Sequence, residues 1–470
     1  MSGSSSSRGV NLIIIDSRRG GKTLLRAGHK YIKRRENKNS STWHCVNRRN
    51  SIKCSGYITI ENTNNTIIKD YKHSDPCVPH FEDNEVQMAI SECKKEVNSN
   101  YGSVQKIFEK HMGNLKDKGL HLTGNVPDYK KLKTVLYRHR NKSLNVPKTQ
   151  FKNVEEIIIP EEFNKYVLAD YCNEDCNRII IFSSTEVKEH IKCVTHYFGD
   201  GTFDGCPNPF EQVYVIHGDM GSTDLSTNVA PLFYILLKNK EGKTYEKIFE
   251  LIKQTLPEWR PSKFTFDYEI GVINAAAKIF PDIKINGCNV HFQKNVIKKA
   301  KSLNLMEHEE SSNHVKQCIG LAFLPKQDIE DGWLHIMENS FDDEAMTKFN
   351  DYFVTQWLEY PDLIWCCHNE RHRTTNLAES WNGRFNKIIG KNPSLLLFLQ
   401  TIGNDTCHFD IKQANFRLKR SPINSRKRTS IEIDRQIQKL TKSYENKAIS
   451  IGDFLIDISK SIFRSEHLKK

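Results

Sequence analysis

The chain has no run of about 18 apolar residues, and that absence excludes a helix able to cross a bilayer. A secretory leader is not expected either: residues 1–8 are Ser-rich and polar, and the apolar patch at 10–15 falls short of the about 7–15 residues of a leader core. An intracellular protein is the expectation. The 13 cysteines are odd in number and scattered, which excludes a disulfide framework and leaves reduced thiols, some of them on zinc. Gly20-Gly21-Lys22-Thr23 has Asp at position 16 where a phosphate-binding loop needs glycine, so that motif is excluded too. No internal repeat is evident, which excludes a repeat array.

What is present is basic charge at both ends. The 470 residues leave room for two or three domains, and 38% hydrophobic with 27% charged residues is the balance of a globular chain. The net charge of +12 is uneven: residues 1–82 carry 15 Lys/Arg against 6 Asp/Glu (+9), residues 401–470 carry 15 against 8 (+7), and the stretch between is therefore −4. Basic ends around a mildly acidic centre suit a polyanion, because neutralised phosphates supply much of the affinity for nucleic acid.

Along the chain, residues 1–15 read as a polar tail. Residues 16–82 alternate in short segments split by Asn, Ser and Gly, which predicts a small antiparallel β module. Such a module has too little core to stand without a staple, and structural zinc supplies one. Residues 83–150 change to helical spacing and include a Lys- and Arg-rich helix at 128–142, a basic linker or a second nucleic-acid contact. Within residues 151–400, strands are predicted at 195–203, 210–217 and 229–237, then helix 244–256, strand 263–267, helix 270–280, strand 284–290 and a helix from His291. Three strands in succession followed by alternating helix and strand predict an α/β sheet of ribonuclease-H-like type. A helical insertion at about 301–365 interrupts it, a helix at 377–389 follows, and residues 401–470 read as a basic helical tail. There the Lys419-Arg420 pair and the Arg426-Lys427-Arg428 run are read either as a nuclear import signal or as a basic helix face.

Three acids stand at element ends in this order: Asp200 in the first strand, Asp267 closing the fourth, and Glu379 in the first turn of the late helix. Two Asp and one Glu form the hard-oxygen set that a pair of Mg²⁺ or Mn²⁺ ions needs, and ions about 3.5–4 Å apart neutralise the attacking and leaving oxygens of a phosphodiester. Asp204 and Glu269 are the rival ligands, and for Glu379 the alternative role is to complement the helix dipole. Thr374, Thr375 or Asn376 is expected to cap that helix. Cys288 and His291 are spaced too closely to make a zinc site by themselves.

With these residues in view, the chain resembles Mutator-like element (MULE) transposases carrying an N-terminal FLYWCH-type zinc finger. On the finger side the likeness rests on Gly28-His29-Lys30-Tyr31, the run from Trp43 to Arg49, Lys53-Cys54-Ser55-Gly56-Tyr57 and His73. On the catalytic side it rests on Asp200-Gly201-Thr202-Phe203, the run from Gln212 to Gly218, Phe266-Asp267-Tyr268-Glu269, the run from Gly287 to Gln293, and Glu379-Ser380-Trp381-Asn382. The resemblance implies structural Zn²⁺ on Cys45, Cys54, His73 and a fourth ligand. The family ends this finger with His-x-His, but here Asp75 stands at the second histidine, so the fourth ligand is Cys77, Asp75 or His80, in that order. It further implies catalytic Mg²⁺ or Mn²⁺ on Asp200, Asp267 and Glu379, with His291 ordering the site or touching the scissile phosphate. The implied activity is hydrolysis and strand transfer on transposon-end DNA in the nucleus, by a protein that can be a homo-oligomer. The alternative is a silent, transposon-derived DNA-binding or chromatin regulator.

Overall fold

The computed structural model describes residues 12–16, 21–100, 102–143, 151, 153–341, 343–418 and 424–463. Most of the expected tail at 1–15, the boundary near 145–148 and the Lys419-Arg420 pair lie outside them. The chain divides into two units, Met1–Thr149 and Gln150–Lys470.

The first unit opens with a six-stranded antiparallel meander: β1 (Ile13–Asp16), β2 (Lys22–Arg26), β3 (His29–Glu36), β4 (Ser40–Cys45), β5 (Tyr57–Glu61) and β6 (Ile67–Tyr71). In β4 and β5 burial alternates residue by residue, the period-2 signature of a sheet with one covered face. Ala27 and Gly28 join β2 to β3 with φ of 48° and 78°, the left-handed pair that lets a two-residue hairpin follow the strand twist. β1 begins inside the segment expected as a tail, because Ile13 to Asp16 pair with Leu25 to Lys22. The core under the sheet is small, with Leu24, Tyr31, Trp43, Ile58 and Ile60 beside Cys45, Cys54 and Cys77. Three helices follow, α1 (Phe81–Val97), α2 (Val104–Lys118) and α3 (Tyr129–Ser143), packed around Val86, Ile90, Val97, Phe108, Leu132 and Leu136. The Ser103 hydroxyl caps α2 by accepting from the Lys106 amide.

In the second unit the strands are β7 (Val167–Cys172), β8 (Arg178–Ser183), β9 (His196–Thr202), β10 (Gln212–Asp219), the short β11 (Ser226–Thr227), β12 (Val229–Leu237), β13 (Lys263–Phe266), β14 (Lys284–Gly287) and the short β15 (Asn424–Ser425). Seven of them form one sheet in the order β14-β13-β9-β10-β12-β8-β7, and β11 pairs with β15. β9, β13 and β14 run parallel, and the remaining pairings are antiparallel. The first two strands, β7 and β8, have no counterpart in the sequence reading. The helices are α4 (Val187–Ile191), α5 (Gly242–Thr255), α6 (Ile270–Ile279), α7 (Asn289–Ser302), α8 (Glu309–Gly320), α9 (Ile329–Glu338), α10 (Glu344–Phe353), α11 (Asn376–Ile389), α12 (Leu395–Arg417), α13 (Arg428–Glu445) and α14 (Ile451–Phe463).

Helices cover both faces of the sheet. On one face Tyr245, Ile248, Phe249 and Ile252 of α5 and Val272, Ala275 and Ala276 of α6 pack with Trp259 on Tyr197, Phe233, Ile235 and Phe264. On the other, Phe398 of α12 meets Phe182 edge-on, and the Asp405 carboxylate accepts from the Tyr234 hydroxyl and the Trp381 indole, both at 2.8 Å. A second core gathers the helices of 301–365 around Phe292, Phe349, Phe353, Trp357 and Trp365. Phe454, Leu455, Ile458 and Ile462 of α14 are buried in that same core, so the C-terminal segment expected as a basic tail is a structural part of the helical layer. The fold is thus mixed α/β, with an N-terminal antiparallel sheet and a helical C-terminal part. Among the described residues no helix is long and apolar enough to cross a membrane.

Candidate metal centres and nucleic-acid surface

The register of the central sheet decides where the acids stand. Thr265 of β13 pairs with Phe198 of β9, so two steps further along these parallel strands Asp267 lies beside Asp200 on the same face. That is the α11 face: Asn382 Nδ2 donates to Asp200 Oδ2 at 2.6 Å, and the Gly201 amide donates to Asp200 Oδ1 at 2.9 Å. Glu379 sits one turn before Asn382 on α11. His291, near the start of α7, brings Nδ1 to 2.9 Å from Asp267 Oδ1 and 3.7 Å from Glu379 Oε1. The structure therefore gathers all four residues. Asp267, Cys288 and His291 form one of the clusters tight enough to hold an ion.

The electrostatics follow from this crowding. Burial, then the neighbouring Asp267 and Glu379 charges, push the Asp200 carboxyl up to about 7. The close approach of its Nδ1 to Asp267, reinforced by Cys288, raises His291 to about 10 against the opposing effect of burial. Glu379 Oε1 is buried without a hydrogen-bond donor. Three acids thus share one imidazole, and a carboxylate oxygen among them has no donor. The rivals are occupied elsewhere: Glu269 accepts from the Tyr245 hydroxyl at 2.8 Å, and Asp204 pairs with Lys391 at 3.4 Å.

Two residues that the sequence reading named, one as a helix cap and one within a motif, support the acids in a role it did not assign them. Thr375 occupies the N-cap of α11 but makes no capping bond. Its hydroxyl lies 3.2 Å from both Asp267 Oδ1 and Cys288 Sγ, tying α11 to the strand that carries the acid. Asn382 fixes the Asp200 rotamer, and its spacing of three from Glu379 on one helix is the signal that marks it.

In the first unit Cys45 closes β4, Cys54 lies in the loop before β5, and His73 and Cys77 lie in the segment after β6. Cys45 Sγ is 3.7 Å from Cys77 Sγ, while His73 Nδ1 is 3.2 Å from Cys54 Sγ and 3.4 Å from Cys77 Sγ. All four ligand atoms lie within 4.8 Å of one another. A tetrahedral zinc with Zn–S of about 2.3 Å and Zn–N of about 2.0 Å spaces its ligands about 3.5–3.8 Å apart, and this cluster matches that spacing. The thiols are free and the closest approach is far beyond a disulfide bond. Asp75 and His80 are exposed and outside the cluster, so Cys77 completes the set. Residues 14–74 match the FLYWCH zinc finger domain.

The match covers three ligands of the FLYWCH finger and stops short of Cys77, which lies three residues beyond it. No curated protein matches the chain. Tyr31 of the finger was not singled out as a site residue: its hydroxyl lies 2.8 Å from His73 Nε2, an outer-shell partner that orients the ring with Nδ1 toward the sulfurs. The His29 ring stacks on His73 at 3.6 Å. The FLYWCH finger, with its cluster suited to structural Zn²⁺, points to a nucleic-acid partner. Further along this unit α3 buries Leu132 and Leu136 and leaves Lys130, Lys131, Lys133, Arg138 and Lys142 exposed, a one-sided basic face. The other cysteines have ordinary places: Cys366 and Cys367 are buried in the helical core, and Cys172 and Cys176 flank the β7–β8 turn.

Proposed function

We propose that this protein is a DNA transposase of Mutator-like type, nuclear, in which the FLYWCH finger and the basic α3 face hold DNA while a ribonuclease-H-like unit cleaves and joins it. The observation that carries the reading is the convergence of Asp200, Asp267 and Glu379 from β9, the end of β13 and α11 around His291. The sheet supports it: three antiparallel strands are followed by two parallel ones reached through helices, with the acids on neighbouring strands.

Asp200, Asp267 and Glu379 would hold Mg²⁺ or Mn²⁺, which when bound supplies charge neutralisation for phosphodiester chemistry. The residues themselves divide the remaining work. Asn382 and Gly201 hold Asp200 in one orientation, and Thr375 holds Asp267. His291 offers positive charge and a proton beside the carboxylates, where a phosphate oxygen would be repelled without it. Asp200 must shed its proton before it can act as a ligand, so the site strengthens as pH rises through about 7.

The test is Mn²⁺- or Mg²⁺-dependent nicking of DNA carrying candidate transposon ends, with Asp267→Asn as the control. Nicking by the intact protein and its loss in the variant support the transposase. Salt-sensitive DNA binding without nicking in either supports the silent, transposon-derived regulator, for which His291 would serve as the internal counter-ion of the acids.

A further inference from the structure

A polar cleft adjoins the strap of residues 371–377, the segment that carries Thr375. It has a volume of about 320 Å³, the lower end of the ligand-pocket range, and is lined by Arg371, Arg373, Arg426 and Lys427 with Asp434 as its one carboxylate. Arg373 and Arg426 both bond Asp434, so one negative charge is shared by two guanidiniums. Arg371 lies 3.5 Å from Asp224, whose side chain is 82% exposed and screened by water. The cleft is therefore under-neutralised. Two helix N-termini open into it as well: α11 begins at Asn376 and α13 at Arg428, and neither has a side-chain cap. Their first-turn amides and dipoles add to the positive field.

The strap connects the cleft to the acids. Thr374, Asn376 and Leu377 line the cleft, while Thr375 between them reaches Asp267. The Arg373 carbonyl accepts from the Asn289 amide at 2.8 Å, at the start of the helix that carries His291.

We propose that this cleft is a phosphate-binding subsite that holds the backbone of a DNA strand flanking the bond presented to Asp200, Asp267 and Glu379. The proposal rests on the transposase reading and adds a position for the strand. Arginine forks and uncapped helix amides recognise phosphodiester oxygens without reading sequence, so the subsite positions DNA and does not specify it.

The test measures binding of the full chain to a short DNA duplex with a single-stranded overhang across a salt series, against the double variant Arg371→Gln, Lys427→Gln. Both side chains are exposed, and matched melting curves verify the fold. The expected result is a slope of log affinity against log salt that is shallower by about 1.8, from two lost phosphate contacts. Lys427→Glu alone should give a loss of affinity in the same direction. An unchanged slope and affinity in a variant of a DNA-binding parent overturns the subsite and leaves the function reading intact, whereas a parent with no DNA affinity overturns both. Inorganic pyrophosphate added in calorimetry should be displaced by the duplex. If it binds at Arg371 and Lys427 and DNA does not displace it, the occupant is a free phosphate compound and the proposal fails.

Discussion

Replacing Cys77 with Ala removes the zinc ligand that the three-dimensional arrangement singles out. Its sulfur lies 3.7 Å from Cys45 Sγ and 3.4 Å from His73 Nδ1, so its loss opens one vertex of the tetrahedron. Structural zinc contributes roughly 10–16 kcal/mol of apparent binding free energy, or about 3 kcal/mol for each of four ligands, part of which a water at the vacant vertex restores. The variant should therefore bind zinc about two orders of magnitude more weakly. Because the buried cluster around Trp43 and Tyr31 is small, the sheet should loosen with the metal. Competition against a chromophoric chelator gives the affinity, and amide hydrogen exchange of β4 and β5 reports the fold of the finger. Asp75→Ala and His80→Ala serve as contrasts and should bind like the parent. A Cys77→Ala protein with parental zinc affinity, paired with an Asp75→Ala protein that has lost it, would refute the assignment.

Asp267→Asn should lower metal-dependent nicking by at least about 10²-fold while leaving the salt dependence of DNA binding unchanged, measured on the same DNA. Metal affinity of the acid site should rise with pH through about 7, because the raised Asp200 group is protonated below that value and a carboxylate ligand above it; a flat titration by calorimetry between pH 6 and 8 would contradict the cause assigned here. Glu370 is buried and bonded to Lys263 at 2.6 Å and Lys284 at 2.5 Å; burial opposes its ionisation, but the two ammonium groups hold it down to about 2. Its contribution is complete above the ordinary carboxylate range and is lost as pH falls toward 2. Glu370→Gln should cost about 1–3 kcal/mol at neutral pH, discounted for the partly exposed lysines, and should flatten the acid limb of a stability–pH curve. Substituting Lys131, Lys133 and Arg138 with Gln should make the salt slope of DNA binding shallower without changing zinc content.

Periodicity and residue chemistry made much of this molecule legible in its sequence. Alternation in β4 and β5 and the helical spacing of α5 and α11 are local properties, set by which side chains face water over a few residues. β7 and β8 form a hairpin whose run Ile179-Ile180-Ile181-Phe182 is visible in the sequence and was passed over; what sequence spacing does not encode is that β8 pairs with β12 and so joins the hairpin to the central sheet. The helical end of the chain looked like a tail because its positive charge is visible in composition, while the burial of Phe454 and Ile458 against distant helices is not. Thr375 looked like a cap, and only the fold turns its hydroxyl toward Asp267.

The sequence by itself determined the kinds of ligand available, thiols with imidazole at one end and carboxylates in the middle, because donor chemistry belongs to the residue. Tertiary structure alone decided which of them meet. Of the three candidates the sequence left open for the fourth finger ligand, Cys77, first in order, is the one that meets Cys45, Cys54 and His73, and strand register placed Asp200 beside Asp267, because distances between residues far apart in sequence are fixed only when sheets pair and helices pack.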